Sequence, residues 1–315
     1  MIDILCLGEA LIELNQTQSG DGPDGAALYR LGCGGDTSNC AVAAARLGAR
    51  TAYWTRLGAD GFGDVLMARW AAERIDASRV VRDPAAFTGA YVVHHGSDGH
   101  RFSYLRQGSA ASRMTPLDLP ADLFEGVRLL HLSAISQAIS QSACDTGFEA
   151  IERARAAGAL VAYDTNLRQA LWPLPRARAV IDAAIAQADI VLPSLDDARL
   201  LTGLEAPEAV AAYCLDRGAR IVALTLGRDG ALIATAERRE RIAAFPVEAI
   251  DATGAGDAFD GAFLTQYLEH GDPFAAGRFA NAAAALSTRG YGAVDPLPLR
   301  AEVEALLLAS AATRA

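Results

Sequence analysis

A chain of 315 residues with a formal net charge of −10 and no basic stripe excludes a general nucleic-acid binder. All 28 basic side chains are arginine, which excludes a Schiff-base lysine, a pyridoxal-phosphate lysine and a Gly-x-x-x-x-Gly-Lys phosphate loop. Hydrophobic residues make up 51 %, enough for one large α/β domain or two smaller ones; no stretch resembles a membrane span, and five cysteines without a Cys-x-x-Cys pair predict a cytoplasmic enzyme lacking structural disulfides and a structural zinc.

Taken in order, Ile2 to Leu7 is a short apolar run before Gly8, the pattern of a buried parallel strand. It is too short, and has no basic residues before it, to be a signal peptide. Leu11 to Leu14 continues extended, Ser19 to Gly25 is a turn-rich loop, and Ala26 to Cys33 reads as a strand. Gly34-Gly35-Asp36-Thr37-Ser38-Asn39 then enters an alanine-rich helix that Gly48 ends. The glycines let a ligand approach the backbone, and Asn39 offers both donor and acceptor; a tight turn with a helix cap explains the same residues. Thr51 to Leu57 reads as a strand and Gly61 to Arg74 as a helix.

Ala90 to His95 and Arg101 to Arg106 alternate on either side of Gly96-Ser97-Asp98-Gly99, which predicts a β-hairpin. Tyr91 and Tyr104 lie on opposite arms, and Tyr104 shares a face with Arg106 by period two. Such a platform can close over a small polar anion; an ordinary exposed hairpin has the same pattern. His94-His95 has no spaced partner for a metal. From Leu129 onward, strands at Leu129–Ser133, Ala159–Asp164, Asp189–Pro193, Arg220–Leu226 and Gly230–Thr235 alternate with helices at 143–157, 176–187, 206–217, 257–270 and 274–288. This predicts a mostly parallel sheet covered on both faces, with ligands at the carboxyl ends of its strands. Arg168, in Asp164-Thr165-Asn166-Leu167-Arg168, falls on that rim, Ser194-Leu195-Asp196-Asp197 follows the next strand, and Thr225 to Gly230 makes a tight glycine loop.

In Asp251-Ala252-Thr253-Gly254-Ala255-Gly256-Asp257-Ala258-Phe259, a glycine-rich turn feeds a helix marked by Phe259, Ala262, Phe263 and Tyr267. Free N–H groups and the positive end of the dipole make this a place to hold phosphate. Asp257 at its mouth either caps the helix or accepts a proton from a hydroxyl that attacks phosphorus.

The two glycine motifs, in this order and this far apart, resemble the PfkB (ribokinase-like) family of carbohydrate kinases along nearly the whole chain. Within it the chain is most similar to the 2-keto-3-deoxygluconate kinases, through Gly8 to Leu14, Gly34 to Thr37, Phe102-x-Tyr104-x-Arg106 with Gly108 to Ser112, Leu132 to Ile135, and Asp164-x-Asn166-x-Arg168 with Leu171-Trp172. The resemblance implies a single domain over 1–315, a three-layer α/β/α fold with a mostly parallel sheet, and a small β lid inserted from about 11–33 and 88–107. It implies ATP and Mg2+, in some members K+ beside the second signature, an acid-sugar substrate, and a homo-oligomer formed through the lid. By the same token Asp257 is the base, and Thr253, Gly254, Ala255 and Gly256 form the anion hole. Gly34, Gly35, Asn39, Tyr91, Tyr104, Arg106 and Arg168 are the sugar contacts. Ser194, Thr225, Gly227, Gly230, Gly254, Gly256 and Asn281 belong to the nucleotide. Many members have Asn-x-x-Glu where this chain has Ser194-Leu195-Asp196-Asp197, so Asp197 is the stand-in that reaches the metal through water. A kinase for a neutral ketose such as fructose and a catalytically silent sugar-binding homologue are the alternatives. A nicotinamide-dependent dehydrogenase is disfavoured, because no Gly-x-Gly-x-x-Gly follows the first strand.

Overall fold

A computed structural model describes residues 1–19, 27–96 and 99–312. The chain begins with β1 (Ile2–Leu7), β2 (Leu11–Ser19) and β3 (Ala27–Gly34), then α1 (Asp36–Arg46), β4 (Thr51–Trp54), β5 (Arg56–Gly58) and α2 (Gly61–Ala72). After β6 (Val81–Asp83), β7 (Ala90–Gly96) and β8 (Gly99–Leu105) come β9 (Val127–Ser133), α3 (Ala134–Ala138), α4 (Gln141–Ala156), β10 (Leu160–Asp164) and α5 (Leu174–Ile185). Then follow β11 (Ile190–Leu192), α6 (Leu195–Thr202), α7 (Pro207–Asp216), β12 (Ile221–Thr225), β13 (Ala231–Ala234) and β14 (Arg239–Ile242), and finally α8 (Ala255–His270), α9 (Pro273–Ser287) and α10 (Arg300–Ala312).

The main sheet has the order β14-β13-β12-β11-β10-β9-β1-β4. It is parallel from β12 to β4, and β13 and β14 run antiparallel to their neighbours. Side chains of β1 alternate between two cores: Ile4 and Cys6 pack with α1, α8 and α9, whereas Leu5 and Leu7 pack with α4, α5 and α7. Burial on both faces is why this strand reads as a continuous apolar run. A second sheet, β3-β2-β7-β8, joins the two predicted lid segments through parallel pairing of β2 with β7. Tyr91 and Tyr104 stand directly opposite each other in it.

The predicted strand over Thr51 to Leu57 is two strands. It breaks at buried Thr55, and β5 leaves the main sheet to pair with β6. The loop predicted at Ser19 to Gly25 lies outside the described residues beyond Ser19, as do Ala26 and the hairpin tip Ser97-Asp98. Besides the short β6 and α3, three elements escape the periodicity reading. The α6 helix follows Ser194, whose hydroxyl accepts from the Asp197 N–H at 3.2 Å, a Ser-x-x-Asp start signal present in the sequence. The edge strand β14 is charged and owes its place to pairing with β13. The third is α10. No helix among the described residues is long and apolar enough to cross a membrane.

One close contact brings α1 and α8 together. At Gly261 in α8 an added Cβ would lie 2.6 Å from the Cys40 carbonyl oxygen and 2.8 Å from the Ala43 Cβ in α1. The missing side chain lets the two helices approach closely enough for their first turns to share one cleft.

Candidate active site

The carboxyl ends of β1, β10, β11 and β12, the N-terminal turns of α1 and α8, and one face of the small sheet enclose a cleft of about 640 Å³. This is the edge where a parallel sheet offers its binding crevice. Asp257 lies in the first turn of α8, behind Gly254 in the left-handed conformation (φ 75°). It does not cap the helix, since no side chain caps this terminus. Its Oδ2 instead accepts from Asn39 Nδ2 at 2.7 Å. The opposite carboxylate of the motif, Asp251, holds the turn: it accepts from the Thr253 N–H and hydroxyl and from the Gly292 N–H.

Across the cleft Gly35 has φ 99°, and a Cβ there would lie 2.3 Å from the Glu9 carbonyl oxygen. No other residue fits this turn into α1. Asn39 is buried, and its Oδ1 has no hydrogen-bond partner among the described residues. A buried acceptor without a donor is costly unless a ligand supplies one. Arg106 Nε, next to the aromatic face, is also buried without a hydrogen-bond partner among the described residues. The aromatic wall is continuous: Tyr91 and Tyr104 rings are 6.0 Å apart, Phe102 stacks on Tyr104 at 6.3 Å, and the Arg106 guanidinium lies 5.5 Å from the Tyr104 ring centroid.

The electrostatics are lopsided. Glu9, Asp36, Asp164, Asp197, Asp257 and Asp260 face the cleft, against Arg106 and Arg168. Arg106 is not a free cation, because it is ion-paired with Glu9, whose carboxylate is wholly buried and also accepts from Ser109 Oγ at 3.0 Å. Arg168 makes no ion pair among the described residues; its Nη1 donates to the Leu167 carbonyl at 3.0 Å. Burial pushes Asp257 up to about 7, with the nearby Asp36 charge adding to it and the Asn39 hydrogen bond and Arg168 opposing it. Burial, then Asp36 and Asp257, raise Asp164 well above the ordinary range; burial, then Asp164, do the same to Asp260. Asp260 was not anticipated from the sequence, although it stands one helical turn after Asp257, a spacing that puts both on one face. Glu9, Asp36 and Asp164 were likewise missed as charged lining.

Of the residues singled out beforehand, Gly35, Asn39, Tyr91, Tyr104, Arg106, Arg168, Ser194, Asp197, Thr225, Thr253, Gly254, Gly256 and Asp257 line this cleft. Gly34, Ala255, Gly227, Gly230 and Asn281 do not. A Cβ at Gly34 would strike the Tyr91 hydroxyl oxygen at 2.4 Å, so this glycine makes room for the tyrosine. Asn281 donates to the carbonyls of Ile242 and Ala243 at 3.0 and 3.4 Å, tying α9 to the end of β14. Gly230 closes against the same Ile242 carbonyl.

The carboxylates suit a metal that arrives with its nucleotide. Mg2+ keeps several waters and needs one or two protein carboxylates besides phosphate oxygens. Asp197 lines the cleft, and its Oδ2 accepts from the Leu167 N–H at 3.1 Å. No cluster of three or more ligating side chains that could hold a metal by itself occurs among the described residues.

Comparisons with known proteins agree with this geometry. Residues 1–300 match the family described as pfkB family carbohydrate kinase. The chain is 33 % identical over 314 residues to "Probable fructokinase-2" of Arabidopsis thaliana, covering 96 % of this chain and 95 % of that one. It is 34 % identical over 314 residues to "2-dehydro-3-deoxygluconokinase" of Thermoproteus tenax, covering 98 % and 95 %. The solved structure of a putative ribokinase II from E. coli in complex with ATP and Mg2+ superposes with a TM-score of 0.90 at 25 % identity, covering 98 % of this chain and all (100 %) of that one. With a mostly parallel sheet, a helix N-terminus turned into its crevice and this match over most of its length, the chain belongs to the pfkB family of carbohydrate kinases.

Proposed function

We propose that this carbohydrate kinase transfers the γ-phosphoryl group of ATP to the 6-hydroxyl of 2-dehydro-3-deoxy-D-gluconate. The products are 2-dehydro-3-deoxy-6-phosphogluconate and ADP. The observation that carries the choice of substrate is Arg168, a guanidinium that makes no ion pair among the described residues although its cleft is otherwise crowded with acid. A neutral sugar gives it nothing to bind, whereas the C1 carboxylate of a keto acid does. Arg106 contributes donors rather than a free charge, because Glu9 already neutralises it.

In the proposed step Asp257 takes the proton of the 6-hydroxyl as its oxygen attacks phosphorus, and the phosphorus–oxygen bond to ADP breaks. The N–H groups of Thr253 and Ala255, expected in the anion hole, already donate to Asp251 Oδ1 and the Ala252 carbonyl, so those of Gly254 and Gly256 are the ones left to stabilise the charge on the transferred group. Asn39 keeps the Asp257 carboxyl aimed. Mg2+, held with the phosphates beside Asp197, would supply charge neutralisation. The small sheet acts as a lid over the sugar and excludes water that would otherwise take the phosphoryl group. The second reading is a neutral ketose such as fructose, supported by a fructokinase relative that matches over 314 residues at 33 % identity, against 34 % over 314 for the gluconokinase.

Arg168→Ala separates these readings. A charge-assisted carboxylate contact is worth about 1.5–3 kcal/mol, so KM for the keto acid should rise about 10- to 100-fold while KM for ATP moves less than about threefold. A rise in KM for ATP instead, or an unchanged KM for the keto acid, contradicts the assignment.

A further inference from the structure

We propose that Glu13 is a positioning residue that makes Tyr91 a hydrogen-bond acceptor, and thereby decides which end of the sugar lies against the lid. The proposal rests on the reading of this cleft as a sugar site, and not on which sugar it takes.

Tyr91, 7 % exposed, lines the catalytic cleft. Glu13, 5 % exposed, is its register partner in β2, on the same face of the small sheet, and lines an adjoining cavity of about 540 Å³. The Tyr91 hydroxyl donates to Glu13 Oε2 at 2.5 Å. Glu13 Oε1 accepts from Asn15 Nδ2 at 3.3 Å, and Asn15 Oδ1 is in turn 2.6 Å from His95 Nε2. Glu13 makes no ion pair among the described residues, so this buried carboxylate is held by neutral donors and Tyr91 is its short partner.

Glycines leave room for the pair. An added Cβ at Gly34 would lie 2.4 Å from the Tyr91 oxygen; one at Gly32 or Gly292 would lie 3.5 or 3.4 Å from Glu13 Oε1. The strand β3, twice, and the segment after α9 thus lack side chains at the point where the two groups meet. Burial and the Glu13 charge push the phenol far above its ordinary range, so its proton stays on the tyrosine oxygen.

A phenol has one proton. With that proton committed to Glu13, Tyr91 can present only lone pairs to the cleft. It therefore accepts from a sugar hydroxyl and repels a carboxylate or phosphate oxygen. An acid sugar must turn its hydroxyl-bearing carbons toward Tyr91 and its anionic end toward Arg168, the orientation that sends the far hydroxyl to Asp257. Without Glu13 the phenol is free to point into the cleft and donate, and both orientations become comparable.

The test measures kcat and KM for wild type, Glu13→Leu, Glu13→Gln, Tyr91→Phe and the Glu13→Leu/Tyr91→Phe pair. The sugar is whichever of the keto acid and fructose the wild type phosphorylates better. Glu13→Leu should raise the sugar KM at least fivefold with KM for ATP within twofold. Glu13→Gln, whose amide oxygen still accepts the phenol proton, should stay within twofold of wild type. In the Tyr91→Phe background Glu13→Leu should add less than twofold, which a merely structural role would not give. Independent, multiplying effects of the two substitutions overturn the proposal, as does a wild-type sugar KM in Glu13→Leu. Should Glu13→Leu fail to fold, a fivefold loss in Glu13→Gln or none in Tyr91→Phe overturns it alone. Turnover of fructose but not the keto acid would defeat the substrate proposed above and leave this comparison intact.

Discussion

Asp257→Asn is expected to lower kcat by about 10²- to 10⁴-fold, the usual contribution of a positioned general base, with ATP affinity nearly intact. The amide keeps the shape and can still contact Asn39, but it cannot take a proton. The same group should dominate the pH profile. Burial raises Asp257 to about 7, so the base is largely protonated and idle in mild acid. Wild-type kcat/KM should therefore climb as pH rises through about 7 and then level off. The stability consequence has the opposite sign. A carboxyl whose folded value exceeds its unfolded one stabilises the fold fully only below the unfolded value, and that contribution is lost as pH rises through the folded value. The melting-temperature advantage of Asp257→Asn over wild type should widen between about pH 4 and pH 8. Residual turnover within tenfold of wild type would reduce Asp257 to a structural member of the α8 first turn.

The next largest effect is expected at Gly256. Its backbone is ordinary, it lines the cleft, and an added Cβ would meet no atom within 4 Å. Alanine there should tolerate folding well, because alanine is favoured over glycine in a helix by about 1 kcal/mol. The methyl group would, however, stand in the empty space before the helix terminus, where the phosphoryl group has to come close to backbone N–H groups. Misplacement of a reacting group by about 1 Å can cost about 10²-fold. We therefore expect Gly256→Ala to melt no lower than wild type and to lose about 10²-fold in kcat. Gly254→Ala should differ by losing stability as well, since φ is 75° and the new Cβ would lie 3.0 Å from Ala293 Cα. An unchanged kcat in Gly256→Ala would mean that phosphate does not sit at this turn.

Both effects fall in a motif that is contiguous in sequence, and that explains why this part of the site was legible. The turn, the helix start and Asp257 are local features, as is Gly35 before α1. The apolar run of β1 and the strand–helix alternation after Leu129 likewise announced the parallel sheet, because burial on both faces leaves a one-dimensional trace. What was not legible depends on distant pairing. Arg106 reads as a spare cation until Glu9, 97 positions away, is seen beside it. The Tyr91 hydroxyl reads as a generic contact until Glu13, 78 positions away, takes its proton. The convergence of Asp36, Asp164 and Asp260 on one cleft floor is not local, since they lie at the start of α1, at the end of β10 and within α8; only the spacing of Asp260 from Asp257 leaves a trace in the sequence. Asn281 is assigned to the nucleotide by resemblance alone; the hydrogen bond from its side chain to the backbone at the end of β14 is a distant pairing that the sequence does not announce. The charged strand β14 is visible only through the edge it covers.

The substrate remains the claim on which the mechanism turns, and one assay bears on it directly. Initial rates of ADP release by the wild-type enzyme, with ATP and Mg2+, should be measured in parallel on 2-dehydro-3-deoxy-D-gluconate and fructose. A contribution of about 1.5–3 kcal/mol from Arg168 predicts kcat/KM at least about tenfold higher for the keto acid. Equal or higher kcat/KM for fructose would contradict the account.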